Sequence, residues 1–588
     1  MAGPIRIAGF SGYLGDRRSA LDEAIAGDPV DVLIGDYLAE FTLAMLSARY
    51  RNDPSRGYVE YFLEQLRPHL GTIAERGTRV VVNAGGFHPA GLAEATRQLV
   101  AEAGADLTVA HVEGDNVFGR LDQLQAAGHD LASMDTGEPL SRWRARPVAA
   151  NAYLGGWGIA TALRAGADIV VCGRVTDASL TVGPAAWWHD WQRTDFDQLA
   201  AAVVAGHIIE CGPHATGGNF SGFAQIPGMV APGFPIAEIG ADGTTTITKH
   251  SADGGAVTVD TVTAQLVYEI QGPRYLNPDV TAHLDSVRLR QVEPDRVELS
   301  GTTGSAPPPT TKVALFAPIG HQIVTTLYAT GLDIDAKVAL IREQAAALLA
   351  DPEAELDVSA LGTPAEDPQR QWESTVQVRV MATAAEREPL QRLVTGIGEL
   401  YLSSIPGFFT DTAARQAPTP STRIDYWPAL LALSAVDHVV VLEDGSRIDV
   451  GGPALTESPV QPEHSEPPRF EPGATRRVPL GRVAHARAGD KGGNSNVGLW
   501  VSDPDAWPWL RSLLTTDELR RLMPEAKDLE VVRHEFPNLR AVHFVLRGLL
   551  GTGGSSNLRV DPIGKAVGEF LRARHVEVPQ QLLDRTRS

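Results

Sequence analysis

The run Gly206 to Phe220, GHIIECGPHATGGNF, sets two histidines, a glutamate and a thiol beside paired glycines. Cys211 would serve as a nucleophile, with His214 beside it, if a nearby cation or helix end lowered its pKa; a buried inert thiol is the structural alternative. His207, Cys211 and His214 approximate a metal set, but Gly212-Pro213 breaks any helix and the spacing fits no zinc signature. No metal ligand is assigned, and a divalent ion stays open.

A second group of residues follows short apolar runs: Ser11 and Gly12, Asp36, Asn83 with Gly85 and Gly86, Glu113 and Asp115, and Arg174 with Asp177. The acids Asp36, Glu40, Glu113, Asp115 and Asp177 would do proton transfer or hold Mg²⁺ if they faced one cleft, and would cap helices otherwise. A guanidinium after the apolar run ADIVVCG must reach a carboxylate or phosphate, and Asp177 is the local partner for Arg174. Asp36, Arg174, Asp177, Cys211 and His214 are the catalytic candidates. Ser11, Gly12, Asn83, Gly85, Gly86, Gly217, Gly218 and Asn219 are candidate ligand walls.

The third group is His485 to Trp500, HARAGDKGGNSNVGLW. Asp490, Lys491, Gly492, Gly493 and Asn494 read as a loop whose amides and ammonium group would hold an anion. The spacing is not that of a P-loop, and two plain turns with an Asp490–Lys491 surface pair are the alternative. GTGGSSN, Gly551 to Asn557, would share an edge with it if the preceding apolar runs pair. Gly9 to Asp16, GFSGYLGD, is not a dinucleotide fingerprint, and Ser11 lacks the G-x-S-x-G elbow of serine hydrolases.

The elements that position these residues alternate. IRIAGF, VDVLIGDY, TRVVVNAGG, LTVAHVEGD and ADIVVCG are β-branched runs separated by helix-period segments, which predicts an α/β domain with an open, mainly parallel sheet. Ligands sit outside the carboxyl ends of such strands. This core is placed at 1–233, with an α+β subdomain or insertion at 234–450. The stretch 451–476 is rich in proline and glutamate and reads as a linker; a small α+β C-terminal domain follows at 477–588.

The 588 residues carry a net charge of −21 and no dense basic cluster, which disfavours nucleic acid as a partner. Two cysteines exclude a disulfide framework and fit the cytoplasm. No leader or membrane-spanning run is expected. A homo-oligomer is compatible with the composition.

Together GFSGYLGD, LIGDYLAE, NAGGFHP, VVCGRVTDASL, GHIIECGPHATGGNF and HARAGDKGGNSNVG resemble the acyclic terpene utilisation (AtuA) family. The resemblance runs on to GTGGSSNLRVDPIGKAVGE in the small C-terminal domain. It implies a setting in the catabolism of branched acyclic terpenoid acids through acyl-CoA thioesters, and assigns no catalytic residues. Two classes of function follow. One is an enzyme acting on a branched acyl-CoA or related carboxylate, of lyase or hydratase type, with coenzyme A entering as part of the substrate. The other is a non-catalytic binding or assembly component of such a pathway, and a gene regulator is a poorer third. Polar density at strand ends favours the enzyme. Limited proteolysis should cut first between Gly451 and Arg476 and release a C-terminal piece, read by mass spectrometry.

Overall fold

The computed structural model describes residues 3–410, 418–463, 467–554 and 556–585. Five strands, Ile5–Ser11, Val32–Gly35, Arg79–Val82, Ile169–Cys172 and Val109–Glu113, lie side by side in that order and run parallel. Their residues are apolar on both faces because helices cover both. Val81 and Val170 face a core built with helices Trp157–Arg164, Ser179–Trp188 and Phe196–Ile209. Val80, Val82, Ile169 and Val171 face the opposite core, which holds helix Pro89–Ala103.

The sheet has eleven strands among the described residues, and the sequence-based boundary at 233/234 does not divide it. Strands Pro235–Ile239, Thr245–Lys249, Arg296–Ser300 and Arg288–Glu293 extend one edge antiparallel, while Val439–Val441 and Arg447–Asp449 close the other. The alternating texture read as a separate subdomain marks edge strands with one wetter face. The later part of that region does build its own layer. A 21-residue strand, Thr310–Thr330, pairs with Ser421–Ala432 and Thr375–Ala384, and helices Ile334–Leu349 and Arg387–Glu399 share the core beneath it. Ala149–Ala152 also pairs with this long strand, which ties it to the first sheet's carboxyl edge.

The C-terminal unit is a four-stranded antiparallel sheet in the order His485–Lys491, Asn494–Trp500, Ala541–Leu546, Val531–Phe536, with helices Trp507–Leu513 and Val567–Ala573 in its core. The glycine-rich run is therefore a hairpin, turned by Gly492 and Gly493, with Gly492 at φ +62°. It docks on the first body where glycines permit close approach: a Cβ on Gly498 would lie 2.4 Å from Val267 Cβ. Trp500 Nε1 donates to Asp260 at 3.0 Å, and the Trp500 ring stacks on Phe220. The segment 451–476 crosses as a strap, with residues 464–466 of it outside the described residues. Gln461 exchanges two hydrogen bonds with the Arg274 backbone, and the Phe470 amide donates to Ser512 Oγ.

One strand-end glycine has a steric reason. A Cβ on Gly12 would stand 2.5 Å from Gly212 N and 2.7 Å from Cys211 C, so Gly12 lets the first strand-end loop meet the Cys211 loop backbone to backbone. Gly12→Ala should therefore destabilise the fold by about 1–3 kcal/mol in urea unfolding, as for an overpacked interior site.

Candidate functional site

The carboxyl ends of the parallel strands meet the C-terminal hairpin around a polar cleft. Asp36 follows the second strand. Its Oδ1 accepts from Asn83 Nδ2 at 2.6 Å, and Asn83 Oδ1 in turn accepts from the Tyr37 amide at 2.7 Å. Burial, then the charge of Asp177, pushes the Asp36 carboxyl well above the usual range. Arg174 pairs with Asp177 at 2.9 Å, donates to Leu38 O and stacks 4.1 Å from the Tyr153 ring centre. Its backbone amide is held by Asp115 Oδ2 at 2.8 Å. Burial opposes the charge on Arg174, and Asp177, Tyr153, Glu40 and Asp36 together outweigh it.

Facing these, Lys312 pairs with Glu40 at 2.8 Å, and Tyr153 OH donates to the same oxygen at 3.3 Å. Burial would raise the Glu40 carboxyl, but Lys312 and then Lys491 hold it well below the usual range. Lys491 enters from the hairpin and stands 3.6 Å from Glu269. Lys565 binds the other oxygen of Glu269 and lies 3.2 Å from Asp490. Against burial, Lys565 and Lys491 lower Glu269 to about 2, whereas burial and Glu269 raise Asp490 to about 6.

Glu40, Lys312, Asp177, Glu269 and Lys491 each keep 20–30% of their side-chain surface open, yet burial is a leading influence on the ionisation of Glu40, Lys312, Glu269 and Lys491. Both observations hold for side chains whose tips reach solvent from a densely packed wall. Water reaches the groups, while dense protein behind them limits their solvation.

The Cys211 run lines the remaining wall. Glu210 is buried, with Oε1 3.2 Å from His207 Nδ1 and Oε2 unpartnered. Burial, then Asp177, raises its carboxyl well above the usual range. Burial and Glu210 likewise push the Cys211 thiol up, so the lowered pKa that a nucleophilic thiol needs is not present. The ring of His214 has a defined tautomer. Gln265 Nε2 donates to His207 O, which turns Gln265 Oε1 towards His214 Nδ1 at 3.3 Å and makes that nitrogen the donor. His214 Nε2 then accepts from Asn219 Nδ2 at 2.9 Å. Burial, then Arg487, lowers His214 to about 3, and burial, then Lys491, lowers His207 to about 4.

The candidates thus divide. Asp36, Arg174, Asp177, Cys211, His214, Asn219, Asp490 and Lys491 gather around the cleft, with Asn83 directly behind Asp36. Ser11 lies behind this wall, its hydroxyl donating to Asp36 O at 3.0 Å. Gly12, Gly85 and Gly86 shape backbone contacts, Gly85 N donating to Cys172 O at 2.9 Å. Gly217 and Gly218 close the turn after His214 through bonds to His214 O and Pro213 O. Gly492, Gly493 and Asn494 do not offer an open anion nest: Asp135 takes the Gly493 amide at 3.2 Å and Asn494 Nδ2 at 2.9 Å, which docks the hairpin. Lys491 is not an exposed surface lysine either, because the docked hairpin carries it inside. Glu113 turns away to His111 and Arg447. Among the described residues no three His, Cys, Asp or Glu side chains gather as a metal set.

Several cleft residues carried no sequence assignment. Glu210 lay unassigned inside the quoted run. Lys312 is a lone lysine at the head of an apolar strand, Arg487 alternates with Gly489 on one hairpin face, and Lys565 sits within the PIGKAVGE stretch. Glu269 had no local signal.

An open α/β sheet with its polar cleft at the strand ends, completed by a small antiparallel domain, defines the class of the molecule. The profile of the acyclic terpene utilisation family protein AtuA matches residues 5–442, and that of the AtuA ferredoxin-like domain matches residues 478–577. The chain belongs to the AtuA family. No curated protein and no solved structure matches it. Among the described residues no helix is long and apolar enough to cross a membrane.

Glu269 gives a pH test with a definite sign. Its folded pKa of about 2 lies below the ordinary 4.5, so its contribution to stability is present above 4.5 and disappears as pH falls towards 2. Glu269→Gln should cost about 3 kcal/mol at neutral pH and flatten that part of the acid limb, measured by urea unfolding across pH.

Proposed function

We propose that the chain is an enzyme of branched or acyclic terpenoid acid catabolism that binds a carboxylate or acyl-CoA thioester in this cleft and carries out lyase- or hydratase-type chemistry. The observation that supports the reading is the division of the carboxyl groups: burial and Asp177 push Asp36 and Glu210 towards the protonated form within one cleft, while lysines favour the ionised form of Glu40 and Glu269. Groups pushed apart in this way supply an acid and a base at one pH. Carbon–carbon cleavage or hydration next to a carbonyl needs a proton donor, a proton acceptor and a cation for the enolate oxygen. Glu210, with a free Oε2, is the proposed donor; Asp177, oriented by Arg174, is the proposed acceptor; Lys491 is the proposed enolate stabiliser. Cys211 is a wall residue in this scheme. The proposed partners are small acids or their coenzyme A esters, without nucleic acid or membrane, and the proposed compartment is the cytoplasm.

Glu210→Gln keeps the shape but cannot give up a proton. It should lower kcat about a hundredfold or more on branched acyl-CoA esters and remove the alkaline fall in rate expected of the wild type as Glu210 deprotonates, with circular dichroism unchanged. Equal rates in both proteins would exclude Glu210. Ligand binding without turnover in the wild type would favour the assembly component.

A further inference from the structure

Arg487 is buried, at 8% exposure, and among the described residues it forms no ion pair. Its Nη1 donates to Asn219 O at 3.2 Å, its Nη2 lies 3.2 Å from the nitrogens of the neutral His214 ring, and its guanidinium is centred 4.3 Å from the Tyr268 ring. A carbonyl, an uncharged ring and a π face do not neutralise a guanidinium, and a buried charge without a counter-ion is strongly disfavoured. Lys565 stands 4.6 Å from the same Tyr268 ring centre and shares Glu269 with Lys491. Asp490, the remaining carboxylate at Lys565, is raised to about 6 and stays mostly ionised at neutral pH. All three cations come from the C-terminal domain; among the described residues Glu269 and Asp490 pair with the two lysines and neither pairs with Arg487. Even Glu269 is held in the left-handed region, at φ 53°, with its amide donating to Asn496 Oδ1 at 3.0 Å.

We propose that Arg487 and Lys565, both set against Tyr268, form an oxyanion-group subsite that takes a second acidic group of the substrate and leaves its reacting carbon towards Lys491, Asp177 and Glu210. The inference rests on the functional reading above, which by itself asks for one carboxylate or thioester and no second anion. A guanidinium against a planar wall suits two oxygens of a carboxylate or a phosphate. These two sources of the same chemistry are a free carboxylate on the acid and the phosphates of a coenzyme A ester.

The test is calorimetric titration of the full chain with 3-methylglutarate, isovalerate, coenzyme A and inorganic phosphate. The expected result is tighter binding of 3-methylglutarate than isovalerate if the group is a carboxylate, or binding of coenzyme A and phosphate if it is a phosphate. In either case Arg487→Gln should weaken binding about tenfold or more, Arg487→Lys should restore part of it, and added salt should weaken the wild type. Thermal melting checks that Arg487→Gln folds; where it does not, Lys565→Gln gives the same reading. Anion binding unchanged in a folded Arg487→Gln or Lys565→Gln chain overturns the subsite. The functional reading fails separately: a wild type that binds 3-methylglutarate through Arg487 but turns over no branched acyl-CoA keeps the subsite and loses the enzyme. In an active enzyme Arg487→Gln should raise KM about tenfold and leave the Glu210-dependent alkaline fall of kcat in place.

Discussion

Glu269 carries two ammonium groups that belong to the other end of the chain, and the arrangement of the cleft depends on this contact. Without Lys491 and Lys565 a carboxylate at that depth would be driven towards its neutral form; without Glu269 the lysines would lie inside the protein with only Asp490 and the more distant Glu40 to offset two charges. Neither body can present these groups alone. The apolar contact of Gly498 on Val267 and the Asp135 grip on the hairpin turn hold the two faces in register while the charges meet.

From that junction the ionisation pattern spreads across the cleft. Lys491 lies close enough to favour the charged form of Glu40 and to disfavour protonation of His207, while Asp177 works in the opposite sense on Asp36 and Glu210. One cleft therefore holds carboxyl groups pushed in opposite directions by their neighbours. The strand ends contribute the pair Arg174–Asp177 and the Asp36–Asn83 contact, and the C-terminal domain contributes the lysines Lys491 and Lys565.

The parallel core and half of the cleft were legible because their signals are local. Apolar runs ending at Asp36, Asn83 and Arg174 declare strand direction, and a shared direction puts those residues on one edge. Lys491 was found for the right composition and the wrong surroundings: alternation in HARAGDK and NSNVGLW marks two strands, but the glycines between them drew the reading towards a loop. Glu269 and Arg487 were not legible, since nothing within VYEIQG or HARAG tells which distant segment will face them. The edge strands from 235 to 300 look like an independent sheet in sequence for the same reason. Their alternation reports one buried face and is silent on the partner strand.

The strap from Gly451 to Arg476 makes the meeting of hairpin and cleft an intramolecular event. A tether of 26 residues fixes the local concentration of one body around the other on the order of millimolar. The junction can therefore hold with an intrinsic affinity far weaker than two free proteins would need. That leaves room for charged contacts beside the apolar seam, which hold a partner poorly once desolvation is counted. A covalent strap added to an apolar seam is how this chain keeps a cation-rich wall standing beside an otherwise acidic molecule.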